Sequence, residues 1–323
     1  MNLLVTGGAG FIGSEFVKQV VKEKNLDIYV IDSLTYAGKM KNIELLMNRI
    51  RFERLDIRDD IAINKLFSKY KFDLIVNFAA ESHVDRSISN PKIFLETNII
   101  GTQVLLEAAI KYNSSRFLQI STDEVYGSLI SGIANEDSVI NPSSAYSASK
   151  ASAEHFVGVA NQTFGLNTGI VRCSNNYGPR QFPEKLIPFF ISKIVKHEKV
   201  PLYGNGDNIR EWLHVSDCVN GIIKVLFDGQ PNEIYNISSS SPYSNLEVAT
   251  LLLQFFQLKS DQIEFVEDRK GHDFRYAIDS SKILRELDWK PTITFNDGLK
   301  STVKWYLDNL WALNQFSAVN EGD

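Results

Sequence analysis

Tyr146 and Lys150 stand four residues apart at the start of a helical pattern introduced by Asn141-Pro142-Ser143-Ser144, so both side chains leave one face of a helix. An ammonium beside a phenol favours the phenolate, which predicts for Tyr146 a pKa below the ordinary value of about 10 and the behaviour of a base near neutrality. With 12 Tyr and 22 Lys in 323 residues, about one such pair arises by chance, so position has to carry the reading. A second cluster, Ser121-Thr122-Asp123-Glu124-Val125-Tyr126-Gly127, directly follows an apolar strand. That is the carboxyl edge of the sheet, where open α/β folds bind their ligands. On a regular strand Asp123 and Glu124 face opposite ways, so both serve one substrate only if the backbone leaves the strand here, as Gly127 suggests. A solvated acidic turn is the plainer alternative.

The third group is a glycine loop, Thr6-Gly7-Gly8-Ala9-Gly10-Phe11-Ile12-Gly13, between the first strand and the first helix. Glycines at 7, 10 and 13 let the backbone turn tightly and approach a pyrophosphate, which the helix N-terminus then faces. Asp32, at the end of the second strand, follows Gly13 by 19 positions and is placed to accept hydrogen bonds from an adenosine ribose while repelling a 2′-phosphate. Ser33-Leu34-Thr35 offer no arginine to reverse that preference, so the cofactor expected is NAD. Asp56 and Ile57 close the third strand and either flank the adenine or, in the case of Asp56, cap a helix.

These groups need a frame to hold them, and the apolar pattern supplies one. Leu3–Thr6, Ile28–Ile31, Leu74–Phe78, Phe117–Ser121 and Gly169–Cys173 read as buried strands, alternating with helices near Ile12–Lys24, Ile61–Tyr70, Phe94–Tyr112 and Ala145–Phe164. Alternation of this kind predicts an α/β fold of Rossmann type, a doubly wound parallel sheet covered on both faces. After about Asn175 the pattern loosens into short strands, turns such as Tyr203-Gly204-Asn205-Gly206-Asp207, and helices near Leu246–Phe256 and Phe295–Trp311. The expected division is a cofactor domain over residues 1–175 and a smaller mixed α/β substrate lobe over 176–323, the chain returning to the first domain in part around 209–237. The residues from Asn314 onward are polar and read as a frayed tail.

Composition sets the outer bounds. The 34 Lys and Arg against 39 Asp and Glu leave a net charge of −5, without the basic footprint of a nucleic-acid binder. Cys173 and Cys218 form no C-x-x-C pair, which argues against a disulfide framework and for a reducing, cytoplasmic setting. The five histidines never fall into a metal-ligand spacing, so no metal site is expected. No targeting or membrane-spanning segment stands out.

Taken together, Thr6-Gly7-x-x-Gly10-x-x-Gly13, Ser121-Thr122 and Tyr146-x-x-x-Lys150 resemble the extended short-chain dehydrogenase/reductase family. Within it the chain is similar to the nucleotide-sugar dehydratases. The likeness is carried by Ala79–Ser87 (AAESHVDRS), Ser121–Gly127, Arg172–Pro179, Gln181–Pro188 (QFPEKLIP), Arg210–Val215 (REWLHV) and Asp268–Asp279, and it runs over about Asn2–Asn309. Asp123 and Glu124 together are the dehydratase pattern. Related epimerases typically lack both, and decarboxylases keep only the Glu, so a nucleotide-sugar epimerase or decarboxylase on the same fold is the alternative.

The resemblance implies a redox-neutral reaction on a nucleotide-activated glucose, dTDP-glucose first and UDP-glucose second. Tyr146 takes the 4-hydroxyl proton during oxidation at C4, Glu124 removes the C5 proton, Asp123 protonates the departing 6-hydroxyl, and hydride returns to C6. Thr122 orients the 4-oxygen and Lys150 holds the nicotinamide ribose. By the same likeness Phe78, Ala79, Ala80, Ser82, Thr97 and Asn176 join the NAD site. Ser82, Thr122, Asn175, Lys185, Leu186, Pro201, Tyr203, Arg210, Asn245, Arg269 and His272 surround the sugar nucleotide. Lys185 and Arg210 suit a diphosphate. Family members pair the helices at 94–112 and 145–164 across a two-fold axis, and both carry more apolar positions here than one sheet face needs, so a homodimer is expected. One departure bears on the nucleotide base: Ser238-Ser239 stand where a glycine pair is common, which matters only if a positive φ is required there.

Overall fold

The computed structural model describes residues 1–268 and 271–314. In chain order its elements are β1 (Asn2–Thr6), α1 (Phe11–Val20), β2 (Asp27–Asp32), β3 (Arg51–Arg54), α2 (Asp60–Tyr70), β4 (Leu74–Asn77), α3 (Val84–Ser89), α4 (Pro91–Phe94), α5 (Gly101–Lys111), β5 (Arg116–Thr122), α6 (Ala145–Phe164) and β6 (Thr168–Cys173). There follow β7 (Asn175–Tyr177), α7 (Leu186–Val195), β8 (Val200–Tyr203), β9 (Ile209–His214), α8 (Val215–Asp228), β10 (Ile234–Ile237), β11 (Pro242–Ser244), α9 (Asn245–Phe255), β12 (Ile263–Val266), α10 (Ser281–Leu287) and α11 (Phe295–Asp308).

Seven strands form one sheet in the order β10-β6-β5-β4-β1-β2-β3, every neighbour parallel. Because a parallel sheet must be covered on both faces, its inner strands are buried almost throughout, while the edge strand β3 (RFER) is largely exposed. Phe16, Val17 and Val20 of α1 meet Val219, Ile222 and Val225 of α8 over one face. Ile63 and Phe67 of α2, Leu105 and Ala109 of α5, and Val157 and Ala160 of α6 cover the other. Strand order reverses between β1 and β4, and the crevice at that switch point is where such sheets take ligands.

The second core lies between α7, α9 and α11, around Ile187, Phe190, Val248, Leu252, Leu299 and Tyr306. A three-stranded sheet β11-β9-β7 and a two-stranded sheet β12-β8 rim it. Residues 215–237 and 283–289 pack on the first core, with Ile237, Ile283 and Trp289 inside it, so the chain crosses between the lobes more than once.

The helix expected over 94–112 is interrupted: Leu95–Ile100 form a π-turn between α4 and α5. Such turns are frequent at functional sites, and this one carries Thr97. The continuous run Pro91–Lys111, mean hydropathy 1.3, is long and apolar enough to cross a membrane, but half of it is buried in the fold. Leu105, Ala108 and Ala109 show why: their apolarity serves the sheet. Cys173 and Cys218, 45 residues apart, are buried free thiols, the Cys218 Sγ–H donating to Cys173 Sγ at 3.4 Å.

Candidate active site

The glycine loop is shaped by contact rather than composition. Gly7 has φ +65°, and a Cβ there would lie 2.7 Å from the backbone nitrogen of Ala79; a Cβ on Gly13 would lie 2.3 Å from the Gly7 carbonyl oxygen. Only glycine fits either place. Gly10 caps α1 without a side-chain bond, so the first amides of that helix face an open cleft. Asp32 accepts from Ala9 N (3.0 Å) and Leu34 N (2.8 Å), which fixes its carboxylate on the cleft floor. Burial outweighs those two bonds and raises its pKa.

Of the residues expected to hold NAD, Gly7, Gly10, Phe11, Ile12, Gly13, Asp32, Asp56, Ile57, Phe78, Ala79, Ala80, Ser82, Thr97, Tyr146 and Lys150 all line this single cleft. Asn176 lines the neighbouring cavity instead. A pyrophosphate cradle that a single Cβ would fill, a helix N-terminus and a carboxylate at the far end together fit a dinucleotide. Asp56 does not cap α2; Asp59 does, accepting from Ala62 N at 3.0 Å. Burial pushes the Asp56 pKa up, and its hydrogen bonds and ion pair with Arg58 more than reverse that, leaving it lowered.

The loop after β4 is set by Asn98, which no sequence signal separated from an ordinary helical asparagine. Its Oδ1 accepts from Glu81 N (2.8 Å), and its Nδ2 donates to Glu81 O (3.0 Å) and to Ser149 Oγ (2.8 Å). One buried amide thus ties the Ala79–Ser82 wall to the helix that carries Tyr146 and Lys150. That helix starts at Ser144 with a capping box to Ser147, which fixes the first turn, where Tyr146 sits.

The backbone does leave the strand after Thr122. Asp123–Tyr126 form a short 3₁₀ turn, begun by Thr122 Oγ1 accepting from Glu124 N at 3.2 Å and ended by Gly127 at φ +74°. Asp123 is 2% exposed. Its Oδ1 accepts from the Thr122 hydroxyl at 3.2 Å, and its buried Oδ2 has no partner among the described residues. Burial, then the charges of Glu124 and Glu211, push its pKa well above the ordinary carboxyl value. That shift favours the protonated form of the carboxyl. Glu124 opens on the second cavity. Thr122 and Asp123 are buried and line neither cavity, and the Thr122 hydroxyl is hydrogen-bonded to the Tyr146 phenol.

The expected effect of Lys150 on Tyr146 is not what the structure gives. The Lys150 ammonium donates to the Ile120 carbonyl at 2.6 Å, and burial depresses its pKa to about 8. The Tyr146 phenol packs edge-on to Phe94, centroids 6.3 Å apart; burial and then the Glu124 carboxylate raise its pKa, outweighing the Thr122 bond. Four-residue spacing put both side chains on one face, but the ammonium is spent on a strand carbonyl.

The second cavity gathers Asn175, Lys185, Leu186, Pro201, Tyr203, Arg210, Asn245 and His272 with Glu124 and Asn176. Ser82 lines the cofactor cleft, Thr122 lines neither cavity, and Arg269 lies outside the described residues. Lys185 donates to Ser82 O at 2.7 Å and precedes α7, which begins at Leu186, so a cation stands at a helix N-terminus. Arg210 is buried over the Tyr276 ring, 4.4 Å from its centroid, and donates to the carbonyls of Ile209 (2.8 Å) and Asp273 (2.9 Å). Tyr203 meets His272 edge-on at 6.2 Å, and Asp268 holds His272 at 2.7 Å. Gln181, Glu184 and Lys185 line both cavities, which therefore meet.

Ser238 and Ser239 do not need a positive φ; Ser240 does, at +53°. Ser238 Oγ donates to Glu211 Oε2 at 2.5 Å and Ser239 Oγ to Trp212 O at 2.7 Å, so the serines brace the loop before α9. Among the described residues no group of three or more His, Cys, Asp or Glu side chains could hold a metal ion.

Residues 4–302 match the family described as GDP-mannose 4,6 dehydratase. The chain is 44% identical to the dTDP-glucose 4,6-dehydratase of Salmonella typhimurium, over 97% of this chain and 95% of that protein. It is 47% identical to the enzyme of the same name from Streptomyces griseus, over 94% of each. Among solved structures, DesIV, the dTDP-glucose 4,6-dehydratase of Streptomyces venezuelae with NAD and TYD bound, has a TM-score of 0.93 at 45% identity, covering 96% of this chain and 98% of that one. The UDP-glucose 4-epimerase of Thermotoga maritima reaches 0.90 at 30% identity, covering 96% and 100%.

Proposed function

The chain belongs to the GDP-mannose 4,6 dehydratase family, and from that premise we propose that it is an NAD-dependent hydro-lyase that converts dTDP-glucose to the 4-keto-6-deoxy sugar. The observation that carries this is the 3₁₀ turn at Asp123–Tyr126, which sets a buried acid with a raised pKa and a second, cavity-facing acid beside the Tyr146 phenol.

NAD, when bound, accepts the C4 hydride, returns it to C6, and carries a cationic ring whose charge favours the Tyr146 phenolate. The chain's own residues do the rest. Thr122 and Tyr146 hold the sugar 4-oxygen, and Tyr146 takes its proton. Glu124, on the cavity face, removes the proton at C5 once the neighbouring 4-keto group has made it acidic. Asp123 gives its proton to the departing 6-oxygen, so water leaves rather than hydroxide; such a positioned acid is worth about 10²- to 10⁴-fold. The turn buries Asp123 and leaves Glu124 on the cavity, and burial raises the pKa of Asp123, which suits it to be the acid. Lys150 anchors the ribose, and Lys185, the first turn of α7 and Arg210 take the diphosphate.

Epimerases share the fold, but an epimerisation at C4 gives Asp123 and Glu124 together nothing to do. A choice of UDP over dTDP rests on the base end, around Tyr203 and Asn245. The reading is tested by incubating the pure protein with dTDP-glucose and with UDP-glucose, no NAD added, and identifying products by mass. Loss of one water, faster from dTDP-glucose, is expected; an isomer of unchanged mass overturns it.

The protein also acts as a homodimer in the cytoplasm on this reading. Leu95, Ile100, Phe156, Val159 and Phe164 lie exposed on the π-turn before α5 and on α6, which supports pairing of these helices. Two unpaired thiols in contact support a reducing compartment. Sedimentation of a monomer at micromolar concentration counts against the dimer.

A further inference from the structure

Where the two cavities meet, the side-chain oxygens Asn175 Oδ1, Asn176 Oδ1 and Gln181 Oε1 are buried and have no partner among the described residues. The two asparagines already have expected ligands. Gln181 has none, although it is 8% exposed and lines both cavities. Its orientation is fixed at the amide nitrogen: Nε2 donates to the Asn176 carbonyl at 2.9 Å, and a carbonyl accepts only from the NH₂ end.

The backbone around it is equally tied. The Gln181 carbonyl accepts from the Tyr306 phenol of α11 at 2.5 Å. Arg180 donates to Ser14 Oγ of α1 at 3.2 Å and pairs with Glu15. Phe182 packs edge-on to Tyr36, centroids 5.4 Å apart. With neighbours anchored to the cofactor domain on one side and to the second core on the other, the side chain cannot swing away to satisfy its oxygen. A buried acceptor held in that way is costly unless a partner comes to it.

We propose that Gln181 Oε1 accepts a hydrogen bond from a neutral N–H or O–H donor at the meeting point of the two ligands, making it a positioning residue for hydride transfer. Resting on the NAD and sugar-nucleotide reading above, this names two groups with that chemistry: the carboxamide N–H of the nicotinamide and a hydroxyl of the hexose. A neutral acceptor suits either, and adds no negative charge beside Glu184.

The test is Gln181→Met, which keeps the length and removes the amide acceptor. Two quantities are compared with the parent: the rate at which NAD is lost on dialysis, and KM for dTDP-glucose. If the carboxamide is the donor, NAD loss quickens about tenfold or more with KM held within about twofold; if a hexose hydroxyl is the donor, KM rises by that factor with NAD retained. Both within about twofold of the parent overturn the proposal. A thermal midpoint confirms folding, and Gln181→Ala supplies the same two readouts should the methionine variant fail to fold. A parent that retains NAD but forms no 4-keto-6-deoxy sugar refutes the function, while the dialysis arm still reports on Gln181.

Discussion

Replacing Asp123 by asparagine takes away the transferable proton and keeps the shape of the side chain. The side chain is buried, its Oδ1 already accepts from Thr122 at 3.2 Å, and the amide keeps the size and the acceptor. It cannot give up a proton, so the sugar 6-oxygen must leave as hydroxide. The loss expected is that of a positioned general acid, about 10²- to 10⁴-fold, or about 3 to 5 kcal/mol on the elimination barrier. Oxidation at C4 does not use Asp123, so rapid mixing with dTDP-glucose should show NADH absorbance that rises and persists, where the parent shows little.

Stability should move the other way. Asp123 has its pKa raised in the folded chain. Between the unfolded value and that raised value the folded state therefore binds more protons, and stability falls as pH rises through the window. The Asp123→Asn variant lacks this slope and should melt higher than the parent at pH 7. A variant within about tenfold of parental turnover, with no NADH build-up, refutes the assignment of Asp123 as the acid.

Glu124→Gln should likewise accumulate NADH without losing water, and Tyr146→Phe should give neither NADH nor product in the same mixing experiment. Lys150→Met should take the ammonium from the Ile120 carbonyl, which keeps the Gln119 amide as a donor at 3.2 Å, and should shed NAD on dialysis while remaining folded. Because the Lys150 pKa is depressed to about 8, its ammonium is present below that pH and lost above it, so the parent should retain NAD less well as pH passes upward through about 8. Gly7→Ala forces a Cβ to within 2.7 Å of the Ala79 backbone at φ +65°; it should purify without NAD and melt lower.

Much of this site was legible because hard sterics and periodicity dictate it. Gly7 and Gly13 leave no room for a Cβ, and a strand, a tight turn and a helix must surround them, so the cofactor cleft follows from a short run of residues. The spacing of Tyr146 and Lys150 gave their shared face, and Gly127 gave the departure of Asp123 and Glu124 from the strand. What spacing does not carry is the partner each group finds. Lys150 reaches the Ile120 carbonyl, and Tyr146 is buried beside Glu124, so the expected lowering of the phenol's pKa became a raising. Asn98 and Gln181 look like any other amides in sequence; their roles come from contacts 51 residues away to Ser149 and 125 away to Tyr306. Cys173 and Cys218 meet because the end of β6 lies beside α8, which no local pattern records.

One active site should oxidise C4, eliminate water across C5 and C6, and return the same hydride to C6. Incubating the protein with dTDP-glucose carrying deuterium at C4 tests it most directly. A 4-keto-6-deoxy product, lighter by one water, is expected with that deuterium at C6; the same reaction on unlabelled sugar in D₂O should place solvent deuterium at C5. Deuterium retained at C4 in an epimer of unchanged mass, or lost to solvent from a product that has shed water, would contradict it.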